Sequence, residues 1–334
     1  MKNFMKVGYI AALVLSVAVF NSCTEKFMHS NQYAENAAVY AYPRPETAYG
    51  TYLAARVAHL RQDLNTAADY YIKSIKLGAD NPEIISRTYV LLTSEGRIDE
   101  AAEYAKKARE QGDNGNFIHF VVMTDELNKG NYDKALESLE NIKDKAYQES
   151  ILPLFESWIY AGSGKPEEAL AAMDKLKKDK SLVSLYYMHS GMLNDYLGNQ
   201  EDAAKAFDTV VNNENLELSY RSLQIISNFY IRSGRKNEAA ELVKKYYDKN
   251  FQARMLFELY QNIQNADLKA TAKMIDTPQK GEAEALFNIG TIFRGYQSDI
   301  SQIFTALALY LNPQHDVALI SMADLLENSQ RYDE

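Results

Sequence analysis

From Thr47 onward the apolar residues recur at three- and four-residue intervals, and no stretch shows the strict alternation of a half-buried strand. The chain reads as a succession of amphipathic helices of roughly 12 to 16 residues, separated by short turns rich in Gly, Asn or Asp. The fold class is therefore all-α. The turns repeat: EGRIDEAA at 95–102, KGNYDKAL at 129–136, SGKPEEAL at 163–170 and LGNQEDAA at 197–204 place Gly96, Gly130, Gly164 and Gly198 at intervals of 34 residues. Ala101, Ala135, Ala169 and Ala203 follow five residues later in each turn. Upstream, Ala67 keeps the register with Gln62 in the glycine place, and downstream Gly234 and Ala239 continue it after a step of 36 residues. Within each second helix the register alanine heads a 3.6-residue stripe: Ala135, Leu139, Ile142; Ala169, Met173, Leu176; Ala203, Phe207, Val210; Ala239, Val243, Tyr246. These are the expected core contacts, with alanine where the two helices of a pair approach most closely.

A helix–turn–helix unit with this period and this turn resembles the tetratricopeptide repeat. The resemblance covers about residues 46–334 and implies a right-handed superhelical solenoid of stacked antiparallel helix pairs. Residues 46–249 form a regular array of about six repeats. From 250 to 334 the register is divergent: 250–281 is helical without the turn signature, 284–313 resembles a degenerate repeat, and 314–334 matches a first helix and the start of its turn. Stopping there leaves Ile320, Ala323 and Leu326 without a partner helix, so the sequence is expected to be a fragment of a longer repeat protein.

Repeats of this kind take protein partners in the concave groove lined by their first helices. Carried over position by position, the resemblance places Phe117, Phe120, Thr124, Ile151, Leu154, Trp158, Leu185, Met188, Met192, Arg221, Gln224 and Asn228 in that groove. Its middle is apolar, aromatic and methionine-rich, which suits an adaptable protein- or peptide-binding surface. The competing reading assigns several of these residues to the core between repeats.

The amino terminus stands apart. Lys2 and Lys6 precede an apolar run from Val7 to Phe20, the length of a secretory h-region and too short to span a bilayer, so residues 1–22 read as a signal peptide. The run ends in VFNSC, which resembles a bacterial lipobox, and Cys23 would be the lipidated residue. Phe20 departs from the usual Leu, Val or Ile three places before that cysteine. The resemblance implies an outer-membrane lipoprotein facing the periplasm, with a soluble periplasmic product as the alternative, and residues 23–45 would form a tether.

Composition narrows the function. The net charge of −9 and pI near 5.3 speak against nucleic-acid binding, and the basic stretch KLKKDK at 175–180 reads as a solvated helix end. Cys23 is the sole cysteine, which rules out an intramolecular disulfide. None of the five histidines lies three or four residues from another, so the helical metal-site spacing is missing. The GSGK at 162–165 imitates a phosphate-binding loop, but Ile159 stands where that loop needs glycine and Pro166 where it needs Ser or Thr. No catalytic residue, cofactor site or metal site is expected. The sequence predicts a non-enzymatic scaffold in the cell envelope that holds a protein or peptide partner, the alternative being an accessory envelope-assembly subunit that binds a lipid or glycan.

Overall fold

A computed structural model describes residues 47–250, 252–266, 271–295, 297–329 and 331. The segment expected to be a signal peptide, 1–22, together with Cys23 and the expected tether at 23–45, lies outside the described residues. Those described contain seventeen α-helices and no strand. Six antiparallel pairs come first: α1 (Ala48–Leu60) with α2 (Leu64–Lys76), α3 (Pro82–Ser94) with α4 (Ile98–Glu110), and α5 (Asn116–Asn128) with α6 (Tyr132–Glu140). After a short helix, α7 (Lys145–Ser150), come α8 (Leu152–Gly162) with α9 (Pro166–Lys175), α10 (Val183–Leu197) with α11 (Gln200–Val211), and α12 (Tyr220–Arg232) with α13 (Lys236–Lys249). The break between α7 and α8 falls at Ile151, two residues ahead of Pro153, whose missing N–H and ring prevent an unbroken helix there.

Sequence sets the turns residue by residue. After α3, Gly96 takes φ +72°, its N–H bonds Thr93 O, and the Arg97 N–H reaches back to Leu92 O at 2.8 Å. This closes the helix C-terminus as a Schellman motif. The five-residue reach recurs from Asn131 to Glu126, Lys165 to Tyr160, Asn199 to Asn194 and Arg235 to Tyr230. The same residue then starts the second helix, so one left-handed glycine reverses the chain within about three residues. In the first pair Asp63 makes the equivalent bond to Ala58 O, and Gln62 sits in the glycine place at φ +63°. It is the one non-glycine residue with positive φ among those described. A side chain in the left-handed region costs about 1–2 kcal/mol, partly offset by glycine's larger unfolded-state entropy. Gln62→Gly is therefore expected to raise the unfolding free energy by about 0.5–1 kcal/mol. Urea denaturation would measure this, and a destabilised variant would mean that Gln62 makes compensating contacts.

All six register alanines, Ala67, Ala101, Ala135, Ala169, Ala203 and Ala239, are fully buried. The stripes behind them are buried too, except that Tyr246 is half-buried at the end of α13. Ion pairs link successive repeats through the residue after the turn glycine: Arg97 reaches Asp69 at 2.6 Å and Arg235 reaches Asp208 at 2.9 Å. Lys165, from the GSGK stretch, approaches Asp133 at 3.9 Å in the same manner.

Beyond α13 the stack changes direction. Helix α14 (Arg254–Asn265) packs on α13 and contributes only Ile263 to the core. Next come α15 (Pro278–Phe293) and α16 (Ser298–Leu311), which pair closely with each other, and then α17 (Asp316–Asn328) against α16. Helix α15 also packs along α8 and α10, while α16 packs along α3 and α5. Large apolar side chains left in water are Tyr49, Leu53, Val57 and Leu60 on α1, Leu77 just after α2, Met255 and Phe257 on α14, and Leu319 and Ile320 on α17. Those on α1 and α17 lie on the first and last described helices, where a solenoid has a neighbour on one side only.

Candidate partner-binding groove

The first helices α3, α5, α8, α10 and α12 carry the face expected to be concave, and the chain's own α15–α16 hairpin packs against that face. Phe304 of α16 sits against Phe117 and Phe120 with ring centroids 6.0 and 5.6 Å apart, and Phe293 of α15 stacks on its other side at 6.2 Å. Thr124 and Leu154 are fully buried, and Ile151 is half-buried against the same core. Helix α15 approaches α8 so closely that a Cβ on Gly281 would stand 2.2 Å from Cε3 of Trp158, which is itself fully buried. Pro278 closes over Gly162 in the same contact.

Polar groups complete the fit. The indole N–H of Trp158 donates to Nδ1 of His189 at 3.2 Å, and the side-chain amide of Asn288 on α15 lies 3.0 Å from the other ring nitrogen. Burial pulls the His189 pKa down to about 4 against the opposing charge of Glu284, so the ring is neutral near pH 7 and free to accept the indole proton. Arg221 of α12 donates from Nε to Glu284 at 2.9 Å and from Nη1 to Asp316 at 2.9 Å, and Gln224 donates to the other oxygen of Asp316. His315 Nε2 stands 3.3 Å from Glu284 on its far side. Asn228 donates to Ala272 O and accepts from the Met274 N–H, which fixes the segment leading into α15. At the opposite end Gln302 bonds Ser94 O, Tyr310 donates to Asp99 at 2.6 Å, and Arg331 meets Glu95 in a buried ion pair at 2.7 Å. Glu282 is buried with neither oxygen hydrogen-bonded, and burial pushes its carboxyl well above the usual range.

Phe117, Phe120, Trp158, Arg221, Gln224 and Asn228 thus meet the chain's own carboxy-terminal part through ring contacts, close packing or hydrogen bonds, while Thr124, Leu154 and Ile151 are buried or half-buried in the core. The other three, Leu185, Met188 and Met192, border a cleft that α15 leaves between itself, α10 and α12. Glu284, Asn288 and Phe304, which complete this face, escaped the position-by-position transfer because they belong to helices outside the regular register. Among the described residues no three His, Cys, Asp or Glu side chains gather as metal ligands, and no helix is long and apolar enough to cross a membrane.

The 34-residue period, the Schellman turns and the buried register alanines define an all-α solenoid of stacked helix pairs of tetratricopeptide-like geometry. No protein-family model matches the chain, and no curated protein matches it either. Among solved structures it is similar to a tetratricopeptide repeat protein from Parabacteroides merdae, at 11% identity and a TM-score of 0.48, over 84% of this chain and 100% of that one. At that identity the fold assignment rests on the repeat geometry of the chain itself.

Proposed function

We propose that the protein is a non-enzymatic scaffold of the bacterial cell envelope, exported by residues 1–22, anchored through a lipid on Cys23, and engaged in holding a protein partner. The observation that carries the scaffold reading is the stack of helix pairs, whose titratable side chains on the concave face are used in binding one part of the chain to another. Arg221, Glu284, His189 and His315 each have a structural partner, and among the described residues no nucleophile, base and orienting group converge as an enzyme would need. The filled concave face further implies that a partner meets the surface that the hairpin leaves open.

The anchor and the partner are tested together by expressing the full chain and its Cys23→Ala variant in a Gram-negative host and fractionating the envelope. The native chain should sediment with membranes and the variant should move to the soluble periplasm; unchanged sedimentation would defeat the lipid anchor. Affinity purification of the native chain should bring down one protein in stoichiometric amount. Recovery of stoichiometric lipid or glycan without protein would replace the scaffold with the accessory-subunit reading.

A further inference from the structure

Helix α1 carries an apolar stripe that its own repeat does not use. Tyr49, Leu53, Val57 and Leu60 share one face and are between 42% and 81% exposed, while Thr51, Ala54, Ala55 and Ala58 on the opposite face are buried. Water pays heavily for such a stripe, since apolar surface costs about 25 cal/mol per Å² to expose.

Charge decides what can cover it. Between Thr47 and Gln62 the chain holds two arginines and no acidic residue, although its net charge is −9. At 3.6 residues per turn Arg56 and Arg61 fall on opposite borders of the stripe. Arg56 donates to the Tyr52 hydroxyl at 3.1 Å, a neutral group that leaves its charge in place. A second copy of α1 would set arginine against arginine, and on α17 Asp316 and Asp324 are already paired with Arg221 and Arg294. An anionic bilayer surface takes both features at once, the apolar side chains at the acyl boundary and the arginines among the headgroups.

We propose that the outer face of α1 rests on an anionic lipid surface, with Tyr49, Leu53, Val57 and Leu60 in the interface and Arg56 and Arg61 at the phosphates. The proposal rests on the lipid-anchor reading: α1 is the described helix nearest in sequence to Cys23, so an anchor there holds this end of the array beside the bilayer. Such a stripe binds only marginally by itself, as a single acyl chain does. It therefore orients an anchored chain without replacing the anchor, and Cys23→Ala should still release the protein.

Because Cys23 is the sole cysteine, Leu53→Cys in a Cys23→Ala background gives one labelling site on the stripe. The full chain carrying it is labelled with the fluorophore NBD and mixed with phosphatidylethanolamine–phosphatidylglycerol vesicles that contain a nitroxide-bearing lipid. The label should shift to the blue and be quenched by the nitroxide. The same label at Asp133→Cys, on α6 where the side chain is 92% exposed, should stay in water. Any association through the apolar run at 7–20 is common to both chains. Arg56→Gln with Arg61→Gln should weaken the lipid contact at position 53 about tenfold or more, and exchanging the vesicles for phosphatidylcholine should do the same. A label at 53 that stays in water, equal quenching at 53 and 133, or equal contact with phosphatidylcholine would overturn the proposal. A blue shift that needs no vesicles and grows with protein concentration would give the stripe to a second copy instead. If Cys23→Ala frees the chain from membranes but position 53 stays in water, the anchor stands and the α1 contact is refuted; if position 53 meets lipid but the native chain and Cys23→Ala fractionate alike, the anchor fails and the contact stands.

Discussion

Gly281→Leu should open the concave face. A Cβ at this position would meet three atoms of the Trp158 ring at 2.2 to 2.4 Å, and the ring has no free space because it is fully buried beneath α15. Overpacking of a core usually costs about 1–3 kcal/mol, and a collision between a helix backbone and a rigid indole belongs at or above the top of that range. The expected result is a loss of about 3 kcal/mol or more, with α15 displaced from α8. Trp158 is the only tryptophan in the chain, so its emission should shift to the red while the helix content of the array persists. Gly295→Ala is the control, since nothing lies within 4 Å of a Cβ there. A variant with native stability and native emission would show that α15 does not rest on Trp158.

Removing Arg221 should be the second most damaging change. Burial alone would push the Glu284 carboxyl up, but the His315 contact and the Arg221 charge outweigh it and bring its pKa down to about 2. Because the folded value lies below the usual 4.5, this arrangement contributes stability that is fully present above about pH 4.5 and lost as the pH falls through about 2. Arg221→Met keeps much of the volume and leaves a buried carboxylate without its guanidinium, a change that typically costs about 3–5 kcal/mol. The gap between native and variant in chemical denaturation should be widest near pH 7 and should narrow as the pH falls below about 4.5. A pH-independent gap would assign the effect to lost packing alone.

The first six helix pairs were legible because each turn imposes a local demand that few residues meet. A left-handed C′ position calls for glycine, and the closest helix approach calls for alanine, so both recur on the period of the stack. Gln62 shows how far that demand reaches, for it adopts the glycine conformation even where glycine is missing. The divergent carboxy-terminal helices carry no such marks. Periodicity tells which face of a helix is buried, and it does not say against what. Phe120 and Trp158 look the same whether they await a partner or meet α15 and α16. One signal was present: the segment from Gly281 to Gly290 is apolar on nearly every side, as a fully enclosed helix must be. Glu282 and Glu284 disguised it by suggesting a solvated face, although both are buried, Glu284 paired with Arg221 and Glu282 with its carboxyl pushed up by burial.

The filling of the concave face by the chain's own α15–α16 hairpin governs where any partner can bind, and Trp158 reports on it directly. Acrylamide quenching of the native chain and of Gly281→Leu, under conditions where circular dichroism shows the array still helical, is the decisive comparison. A covered face predicts blue-shifted, poorly quenched emission in the native chain and red-shifted, readily quenched emission in the variant. Free quenching in the native chain, unchanged by the substitution, would contradict it and restore an open groove.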